Sequence, residues 1–353
     1  MNILVVGGGA IGMYVAARIR KYSTTVHISV LARDTFVNAA QGGFMVTSDS
    51  SNETRISVCP VSNICDAAGQ PHFDAVIFAT KAYALTKAVR DVASAPQRIS
   101  PETLFVCLQN GIGCEEIISS QFAANQVLAG TVTTPITLRG PAHIRIERER
   151  GIGLAPFAGI PSFPLPGTTP SELVNEMGAT WFPEYRDMKW SKLLLNLVGN
   201  ATSAIFDMTV RDVYHDPSGF EIENRMLQEC LAVMTALEVR VVNLPGGKAK
   251  LLQLLLAFVP KRILQAVLGG IAERGRGDKR PSFYYDVANG SGWSEVGFLN
   301  GAVARAGSDC GVPTPINSAL ESVLTDIVTG RQPWQKWHWQ TEKFLTLALS
   351  AQY

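Results

Sequence analysis

The sequence predicts an α/β protein, with an N-terminal doubly wound parallel sheet over residues 1–180 and a mainly α-helical C-terminal domain over residues 181–353. The first half alternates short β-branched runs with helical stretches, which is typical of a parallel sheet covered by helices. A glycine-rich turn follows the first run, and long helical patterns dominate from about Glu184 onward. Because 353 residues exceed the usual size of one domain, we expect two domains, a boundary near residues 165–185 and a ligand cleft between them.

Each strand of the predicted sheet is a short apolar run rich in β-branched residues. These runs are Ile3–Val6, His27–Ala32, Ala75–Ala79, Leu104–Leu108 and Gln126–Leu128. Residues from about Ile136 to Phe163 look strand-like with polar turns, and the proline- and glycine-rich stretch Pro161–Pro170 is predicted to be an irregular connection. The basic stretch Arg274–Pro281 is predicted to be a loop between helices.

The composition argues against several classes of partner. Lys plus Arg (31) nearly balances Asp plus Glu (30), so the chain lacks the basic footprint of proteins that bind nucleic acid or anionic membranes. Scattered cysteines without a CxxC pair indicate reduced thiols, and separated histidines match no metal-ligand spacing. That spacing leads us to expect no metal site. No signal-peptide pattern begins the chain, so we expect a soluble, cytoplasmic protein. The most apolar segment, Leu251–Val259, is far shorter than the roughly 20 residues of a membrane helix, so we expect a buried helix or a subunit contact there.

A GxGxxG turn directly after the first apolar run indicates a dinucleotide site of the Rossmann type. Gly7 permits the tight turn, Gly9 lets the backbone approach a pyrophosphate, and Gly12 lets helix and strand pack closely. The following helix directs unpaired amide groups and a favourable dipole at the phosphates. The alternative is a purely structural glycine turn. The predicted cofactor-binding residues of the turn are Gly7, Gly8, Gly9, Ala10, Ile11 and Gly12.

Arg33 indicates that the dinucleotide is NADPH. About twenty residues after the turn, an NAD or FAD site normally places an acid on the ribose hydroxyls at the end of the second strand. This chain has Arg33 there, and a guanidinium can pair with the 2′-phosphate that distinguishes NADP. Asp34 leaves NAD open as the second choice, and FAD is third.

Lys81 and Asn110 each follow a predicted strand. Because ligands bind beyond the carboxyl ends of the strands in open parallel sheets, both are candidate ligand-binding residues on the edge that also carries Gly7 and Arg33. The alternative for each is a cap on the next helix.

A row of polar residues on an apolar helix supplies the predicted chemistry. The segment Lys189–Ile205 reads as one buried helix, and Lys192, Asn196 and Asn200 are spaced four residues apart on one face of it. A lysine there is costly to bury without a partner. Lys192 would donate a proton or hydrogen bond to a carbonyl oxygen as hydride reaches its carbon, and both asparagines would hold polar groups of the substrate. The alternative is a solvated stripe that ends in a tertiary amide contact.

The order and spacing of these residues resemble the ketopantoate reductases (2-dehydropantoate 2-reductases), and the resemblance runs through most of the chain. It implies an oxidoreductase that reduces 2-dehydropantoate to (R)-pantoate with NADPH, a step in pantothenate biosynthesis. No single motif is specific, but together they are. The matching positions are the glycine turn with Arg33, Lys81, Gln109-Asn110-Gly111, the Lys192/Asn196/Asn200 row, Pro281-Ser282 with Asp286, and Ser294-Glu295 before Leu299-Asn300-Gly301.

The resemblance also implies roles for single residues. Lys192 is the catalytic lysine, and Glu295 is the carboxylate that engages the substrate hydroxyl and helps to position the lysine. Ser282 and Asn110 help to hold the substrate carboxylate and the cofactor, and Lys81 lies near nicotinamide and ribose. Glu295 is counted with the cofactor-binding residues as well, although taken alone it would be read as a surface acid.

Departures from the family pattern concern the substrate. Asp207 to Val210 fill a region where these reductases often have a further asparagine, and Phe283, Tyr284 and Tyr285 follow Ser282 where aliphatic or amide residues are common. A paralogous reductase of another 2-oxo or 3-hydroxy acid, branched or aromatic, is therefore an alternative, and a non-catalytic NADP-sensing protein is another. The stretch Leu251–Leu268 and the tail with Trp334, Trp337 and Trp339 are predicted to pack terminal helices or form a homodimer contact, rather than to shape the substrate pocket.

Overall fold

The computed structural model describes residues 1–48, 52–67, 69, 71–159, 169–276 and 280–350. For residues 271–276 it describes the backbone. The chain divides into two compact units. Unit 1 comprises Met1–Gln109, Gly113–Lys189 and Leu244–Gly247, and unit 2 comprises Asn110–Ile112, Trp190–Asn243 and Lys248–Tyr353. In the structure the chain passes from unit 1 to unit 2 between Lys189 and Trp190, whereas the sequence predicts the division between residues 180 and 181. Residues 161–168 of the predicted connection lie outside the described residues.

Unit 1 contains the strands of the chain's described part. They are β1 (Asn2–Val6), β2 (His27–Leu31), β3 (Phe44–Thr47), β4 (Glu53–Ile56), β5 (Cys59–Val61), β6 (Ala75–Phe78), β7 (Leu104–Cys107), β8 (Val127–Val132), β9 (Ile136–Gly140), β10 (His143–Ile146), β11 (Ile152–Pro156) and β12 (Thr180–Trp181).

The main sheet has the order β12-β11-β8-β7-β6-β1-β2-β5. Strands β5, β2, β1, β6, β7 and β8 are parallel, and only the β11–β8 pairing is antiparallel. From β1 the chain runs outward through β2 to β5, then returns to β6 and continues on the other side. This doubly wound order confirms the predicted fold class. A second sheet, β4-β3-β10-β9, was not predicted as a sheet.

The helices complete unit 1 and form most of unit 2. They are α1 (Ala10–Tyr22), α2 (Asp34–Ala39), α3 (Ala82–Ala93), α4 (Cys114–Ser119), α5 (Pro170–Met177), α6 (Tyr185–Leu197), α7 (Ala201–Phe206), α8 (Val210–His215), α9 (Pro217–Ala236), α10 (Ala249–Phe258), α11 (Lys261–Arg276), α12 (Ser282–Ala288), α13 (Asn300–Cys310), α14 (Pro315–Val328) and α15 (Thr341–Ser350). The mainly helical second half is therefore also confirmed. Helix α11 continues to Arg276, so the predicted loop 274–281 is shorter at its start, and residues 277–279 lie outside the described residues.

The predicted helix Lys189–Ile205 is wrong as a single element. Helix α6 ends at Leu197, Gly199 has a φ of 63°, and α7 begins after Asn200. A left-handed φ at Gly199 cannot continue an α-helix, and the side chain of Val210 lies where a Cβ at Gly199 would be. Lys192 and Asn196 thus share α6, whereas Asn200 lies beyond the break as the N-cap residue of α7.

A buried carboxylate stabilises this break. Glu223 of α9 is fully buried and accepts hydrogen bonds from Gly199 N (2.9 Å), Thr202 Oγ1 (2.6 Å) and Tyr214 Oη (2.9 Å). One side chain therefore satisfies donors from three segments of unit 2.

Replacing Glu223 with alanine is expected to lower the free energy of unfolding by roughly 3 kcal/mol or more, because each buried donor left without an acceptor costs about 1–3 kcal/mol. Urea denaturation of the purified protein measures this change. The exposed Glu342→Ala serves as a control and is expected to stay within about 0.5 kcal/mol of the parent. Equal unfolding midpoints for both variants would contradict this role of Glu223.

The apolar segment Leu251–Val259 forms most of α10 and is not the fully buried helix that was one prediction. Leu252 and Leu256 are buried, but Leu254 is 53% exposed and Phe258 is 79% exposed. Leu251 on α10 and Ile263 and Val267 on α11 are exposed as well. No helix in the described part of the chain is long and apolar enough to span a membrane.

Candidate functional site

The glycine turn of unit 1 has the backbone geometry of a phosphate cradle. Gly7 has a φ of 120° and donates its N–H to Leu31 O (2.9 Å). A Cβ on Gly12 would lie 1.8 Å from Gly7 O, so only glycine fits there, whereas nothing lies within 4 Å of a Cβ built on Gly9. Gly9 is exposed and is the N-cap residue of α1, and the first amides of a helix have no partner within the helix and favour an anion. The described residues therefore fit a dinucleotide pyrophosphate.

Arg33 lies beside this turn. It follows β2 as the exposed N-cap residue of α2, and Phe36 N donates to Arg33 O (2.9 Å). The ring of Phe36 packs against Gly8, where a Cβ would lie 2.5 Å from the ring. Because Phe36 is in the first turn of α2, this packing holds the start of the helix, with Arg33, next to the glycine turn.

The carboxyl ends of β1, β6 and β7 meet at one edge of the main sheet. A Cβ on Gly7 would lie 3.0 Å from the carbonyl carbon of Ala79, just after β6. Gln109, just after β7, donates its side-chain amide to Thr80 O (2.9 Å). Lys81 is the exposed N-cap residue of α3, but its side chain makes no capping hydrogen bond. The glycine turn and the segment that carries Lys81 thus lie at the same edge of the sheet, and Gln109, the residue before Asn110, is attached to that segment.

In unit 2, Asn110 and Asn196 form a direct pair. The side-chain amide of Asn196 donates to Asn110 Oδ1 (3.2 Å), so the strand-end loop after β7 is attached to α6. Two candidate residues from segments far apart in the chain are therefore hydrogen-bonded to each other.

The same loop is attached to the turn that carries Glu295. Ile112 N donates to Phe298 O (3.0 Å), and Glu295–Phe298 is a short 3₁₀ turn. Gly111 has a φ of 87°, and a Cβ there would lie 2.2 Å from Phe298 O. Only glycine at position 111 allows this approach. Residues 110–112 thus connect Asn196 on α6 with the Glu295 turn.

The two predicted catalytic residues differ in burial. Lys192 is half-buried on α6, about one turn before Asn196. Glu295 is only 6% exposed and begins the 3₁₀ turn, which Ser294 caps by accepting a hydrogen bond from Val296 N. Its burial argues against the surface acid that Glu295 would suggest in isolation.

Asn200 and Ser282 form a second pair. Asn200 Oδ1 accepts hydrogen bonds from Phe283 N (3.2 Å) and from the hydroxyl of Ser282 (3.5 Å). Asn200 is buried, whereas Ser282 is exposed at the start of α12. The amide oxygen of Asn200 is thus used within the protein, which is the tertiary amide contact that the sequence left open as an alternative.

The deeply buried lysine of the segment is Lys189 rather than Lys192. Its ammonium donates to Gln109 O (2.7 Å) and lies 2.8 Å from Glu115 Oε1, in an ion pair whose side chains are each 2% exposed. Burial acts to lower the pKa of Lys189, but the Glu115 carboxylate and neighbouring groups outweigh it and raise that pKa. The sequence analysis did not identify this ion pair, although a lysine on an apolar helix is the pattern that indicates a buried partner.

The cysteines of the chain are thiols and form no disulfide among themselves. All six cysteines are free, and burial raises the pKa of Cys107 well above that of an ordinary thiol. Among the described residues, no cluster of three His, Cys, Asp or Glu side chains has the arrangement of a metal site.

The doubly wound sheet with its glycine turn is typical of dinucleotide-binding α/β proteins, and the polar group formed by Asn110, Asn196 and the Glu295 turn is the candidate substrate site of unit 2. Family models match residues 3–159 as "Ketopantoate reductase PanE/ApbA" and residues 184–328 as "Ketopantoate reductase PanE/ApbA C terminal". The chain belongs to the ketopantoate reductase family. It is accordingly an oxidoreductase of a pyridine-nucleotide-dependent family that acts on CH–OH groups.

Similar proteins agree with this placement. A 2-dehydropantoate 2-reductase of Streptococcus pyogenes serotype M3 is 24% identical over 318 residues, which cover 89% of this chain and 94% of the relative. A crystal structure of a PanE/ApbA family ketopantoate reductase from Ralstonia eutropha JMP134 matches with a TM-score of 0.74 at 22% identity, over 94% of this chain and 100% of the other.

Two further solved structures share the fold. The ternary complex of D-mandelate dehydrogenase with NADH and anilino(oxo)acetate has a TM-score of 0.72 at 18% identity and covers 94% of this chain and 99% of its own. A dimeric ketopantoate reductase from Staphylococcus aureus has a TM-score of 0.68 at 18% identity and covers 94% and 100% of the two chains.

Proposed function

We propose that this chain reduces 2-dehydropantoate to (R)-pantoate with NADPH, a step toward pantothenate. The observation that carries the proposal is the set of polar groups around residues 110–112, where Asn110 pairs with Asn196 and the loop is attached to the Glu295 turn. The carbonyl and carboxylate oxygens of a 2-oxo acid accept hydrogen bonds, and amide and ammonium groups donate them. Lys192 on the same helix as Asn196 completes a donor set of this kind.

Each residue has a distinct task in this proposal. NADPH, when bound, supplies the hydride for the carbonyl carbon. Lys192 donates a proton or a charge-assisted hydrogen bond to the carbonyl oxygen, where negative charge develops in the transition state. Glu295 engages the substrate hydroxyl and helps to position Lys192, while Asn110, Asn196 and Ser282 hold the substrate. Asn200 supports Ser282, since its oxygen is already used at the start of α12.

The cofactor residues are proposed from the geometry of the glycine turn. The amides of the turn and of the first residues of α1 would hold the pyrophosphate, and the open side of Gly9 admits it. Arg33 would hold the 2′-phosphate from its place beside Gly8, and Lys81 would serve ribose and nicotinamide. The residues of the turn are Gly7, Gly8, Gly9, Ala10, Ile11 and Gly12.

A substrate panel tests this function. Oxidation of NADPH is followed at 340 nm (the nicotinamide absorbance) with 2-dehydropantoate, a branched 2-oxo acid and phenylglyoxylate, and kcat/KM is compared at constant enzyme concentration. The proposal expects the highest kcat/KM for 2-dehydropantoate with NADPH. A clear preference for another acid would replace the substrate but keep the reaction.

An aromatic 2-oxo acid is the second candidate substrate. Tyr285 follows Ser282 by three residues, so both side chains lie on one side of α12, and Tyr285 is 48% exposed. Tyr284 packs edge-on against Tyr285 and Trp334, and Arg280 lies over its ring. These aromatic residues beside a proposed carboxylate-binding serine favour an aromatic substrate. The likeness to D-mandelate dehydrogenase is consistent with this candidate.

We also propose that the exposed apolar residues of α10 and α11, among them Leu254 and Phe258, form a homodimer contact. Replacing Phe258 with aspartate is expected to weaken self-association roughly 150-fold or more, because burial of a phenylalanine side chain contributes about 1.5–3 kcal/mol and both protomers of a homodimer carry the change. Sedimentation equilibrium of the purified chain measures the dissociation constant. Leu138→Asp is the matched control, since Leu138 is 52% exposed on β9 of unit 1. A dimer that Phe258→Asp leaves intact, or a monomeric parent, would contradict this interface.

A further inference from the structure

The proposed mechanism gives no role to one deeply buried ion pair. Lys189 and Glu115 lie 2.8 Å apart with each side chain 2% exposed. Removing two charges from water costs several kcal/mol per ion, and an apolar pair of similar volume is often as stable. Fold stability alone is therefore a weak reason for this pair, so its contacts point to what else it does.

The lysine of the pair holds one particular carbonyl group. Lys189 Nζ donates to Gln109 O at 2.7 Å, and this carbonyl belongs to the peptide that leads into Asn110. The side chain of Gln109 is itself attached to Thr80 O. The orientation of the 109–110 peptide, and with it the starting direction of the Asn110 side chain, is therefore fixed from the protein interior.

Lys189 also lies on the relevant side of α6. Lys189, Lys192 and Asn196 follow each other at intervals of three and four residues, which places them along one face of the helix. One face of α6 thus holds the strand-end loop twice, through the Gln109 carbonyl and through the Asn110 side chain at 3.2 Å. Between these attachments the loop passes through Gly111, which has a φ of 87° and tolerates no Cβ.

We propose that Lys189, held by Glu115, is a positioning residue that fixes the Gln109 carbonyl and thereby aims Asn110 at the substrate. Glu115 keeps the ammonium group at the carbonyl, and Lys189 itself touches neither substrate nor cofactor. This inference rests on the proposed function for the identity of the substrate, but the positioning of residues 110–112 is independent of it.

The test replaces both charges at once. The double variant K189M/E115L substitutes an apolar pair of similar volume, so no buried charge is left without a partner. It is expected to fold, with an unfolding temperature somewhat below that of the parent because Gln109 O loses its donor, and to remain folded under the conditions of the assay. Its kcat/KM for the 2-oxo acid is expected to fall about 10-fold or more, since a displacement of about 1 Å in a positioning group can cost 10²-fold.

A double-mutant cycle with Asn110→Ala separates positioning from a general effect on stability. The Asn110→Ala change is expected to cost less kcat/KM in K189M/E115L than in the parent, because Asn110 is already misplaced there. Amide hydrogen exchange at Gly111 and Ile112 is expected to be faster in the double variant. Glu149→Gln is the matched control. It disturbs the Arg18–Glu149 ion pair, also in unit 1, and is expected to leave kcat/KM unchanged.

The outcomes distinguish this inference from the proposed function. Parental kcat/KM in folded K189M/E115L, with additive effects of Asn110→Ala, would overturn the positioning role even when the parent is fully active. A parent that reduces no 2-oxo acid would overturn the proposed function, and the exchange rates at residues 111–112 would still decide the role of Lys189. If K189M/E115L does not fold, E115Q decides: a several-fold loss of kcat/KM supports the role, and parental kcat/KM overturns it.

Discussion

Replacing Lys192 with alanine is expected to lower kcat for 2-oxo acid reduction by a factor of about 10² to 10⁴, the usual contribution of a positioned general acid. The carbonyl oxygen gains negative charge as hydride reaches its carbon, and alanine leaves that charge without a donor. The KM for NADPH is expected to change little, because Lys192 acts on the substrate. Steady-state kinetics with both substrates varied measure the two effects separately.

Lys343→Ala is the matched control for this change. Lys343 lies exposed on α15 in the same unit, and its loss is expected to leave kcat unchanged. If kcat of Lys192→Ala stays within a few-fold of the parent, the oxygen receives its proton from another group. Glu295 would then be the first residue to examine.

Replacing Arg33 with alanine is expected to lower kcat/KM for NADPH by about 10- to 150-fold, since a hydrogen bond to a charged group contributes roughly 1.5–3 kcal/mol. The value for NADH is expected to be unchanged, because NADH lacks the 2′-phosphate that Arg33 would hold. The ratio of the two kcat/KM values therefore falls by the same factor. Initial rates with each dinucleotide at saturating 2-oxo acid measure this ratio.

Asp34→Ala is the informative neighbour of that variant. If Asp34 serves the ribose of NAD, its loss lowers kcat/KM for NADH, whereas an NADPH enzyme is expected to be insensitive to it. A parent enzyme that prefers NADH, or an Arg33→Ala variant that loses both dinucleotides equally, would contradict the assignment of NADPH.

Local patterns account for what the sequence predicted of unit 1. The runs beginning at Ile3, His27, Ala75, Leu104 and Gln126 all correspond to strands of the main sheet, because a short apolar run rich in β-branched residues is a local signal. The second sheet is different. Its strand β3 pairs in parallel with β10, which lies about 100 residues later in the chain. Neither strand has a local sequence pattern that identifies the other as its partner.

The sequence predicted candidate residues of the site but not the contacts between them. Asn110 and Asn196 were both nominated, yet their hydrogen bond depends on how α6 meets the strand-end loop. The break at Gly199 depends on Glu223 of α9, and a glycine in an apolar run does not show whether a distant carboxylate will bind its N–H. Likewise, Lys189 and Lys192 look alike in the sequence, and only the place of Glu115 in the fold decides which of them is deeply buried.

The most direct test of the central claim is transfer of deuterium from labelled cofactor to substrate. The chain is incubated with 2-dehydropantoate and NADPH that carries deuterium at both positions of nicotinamide C4, and the products are analysed by mass spectrometry and NMR. One pantoate is expected for each NADPH consumed, with deuterium on the carbon that bore the carbonyl oxygen. Oxidation of NADPH without labelled pantoate, or no oxidation at all, would contradict it.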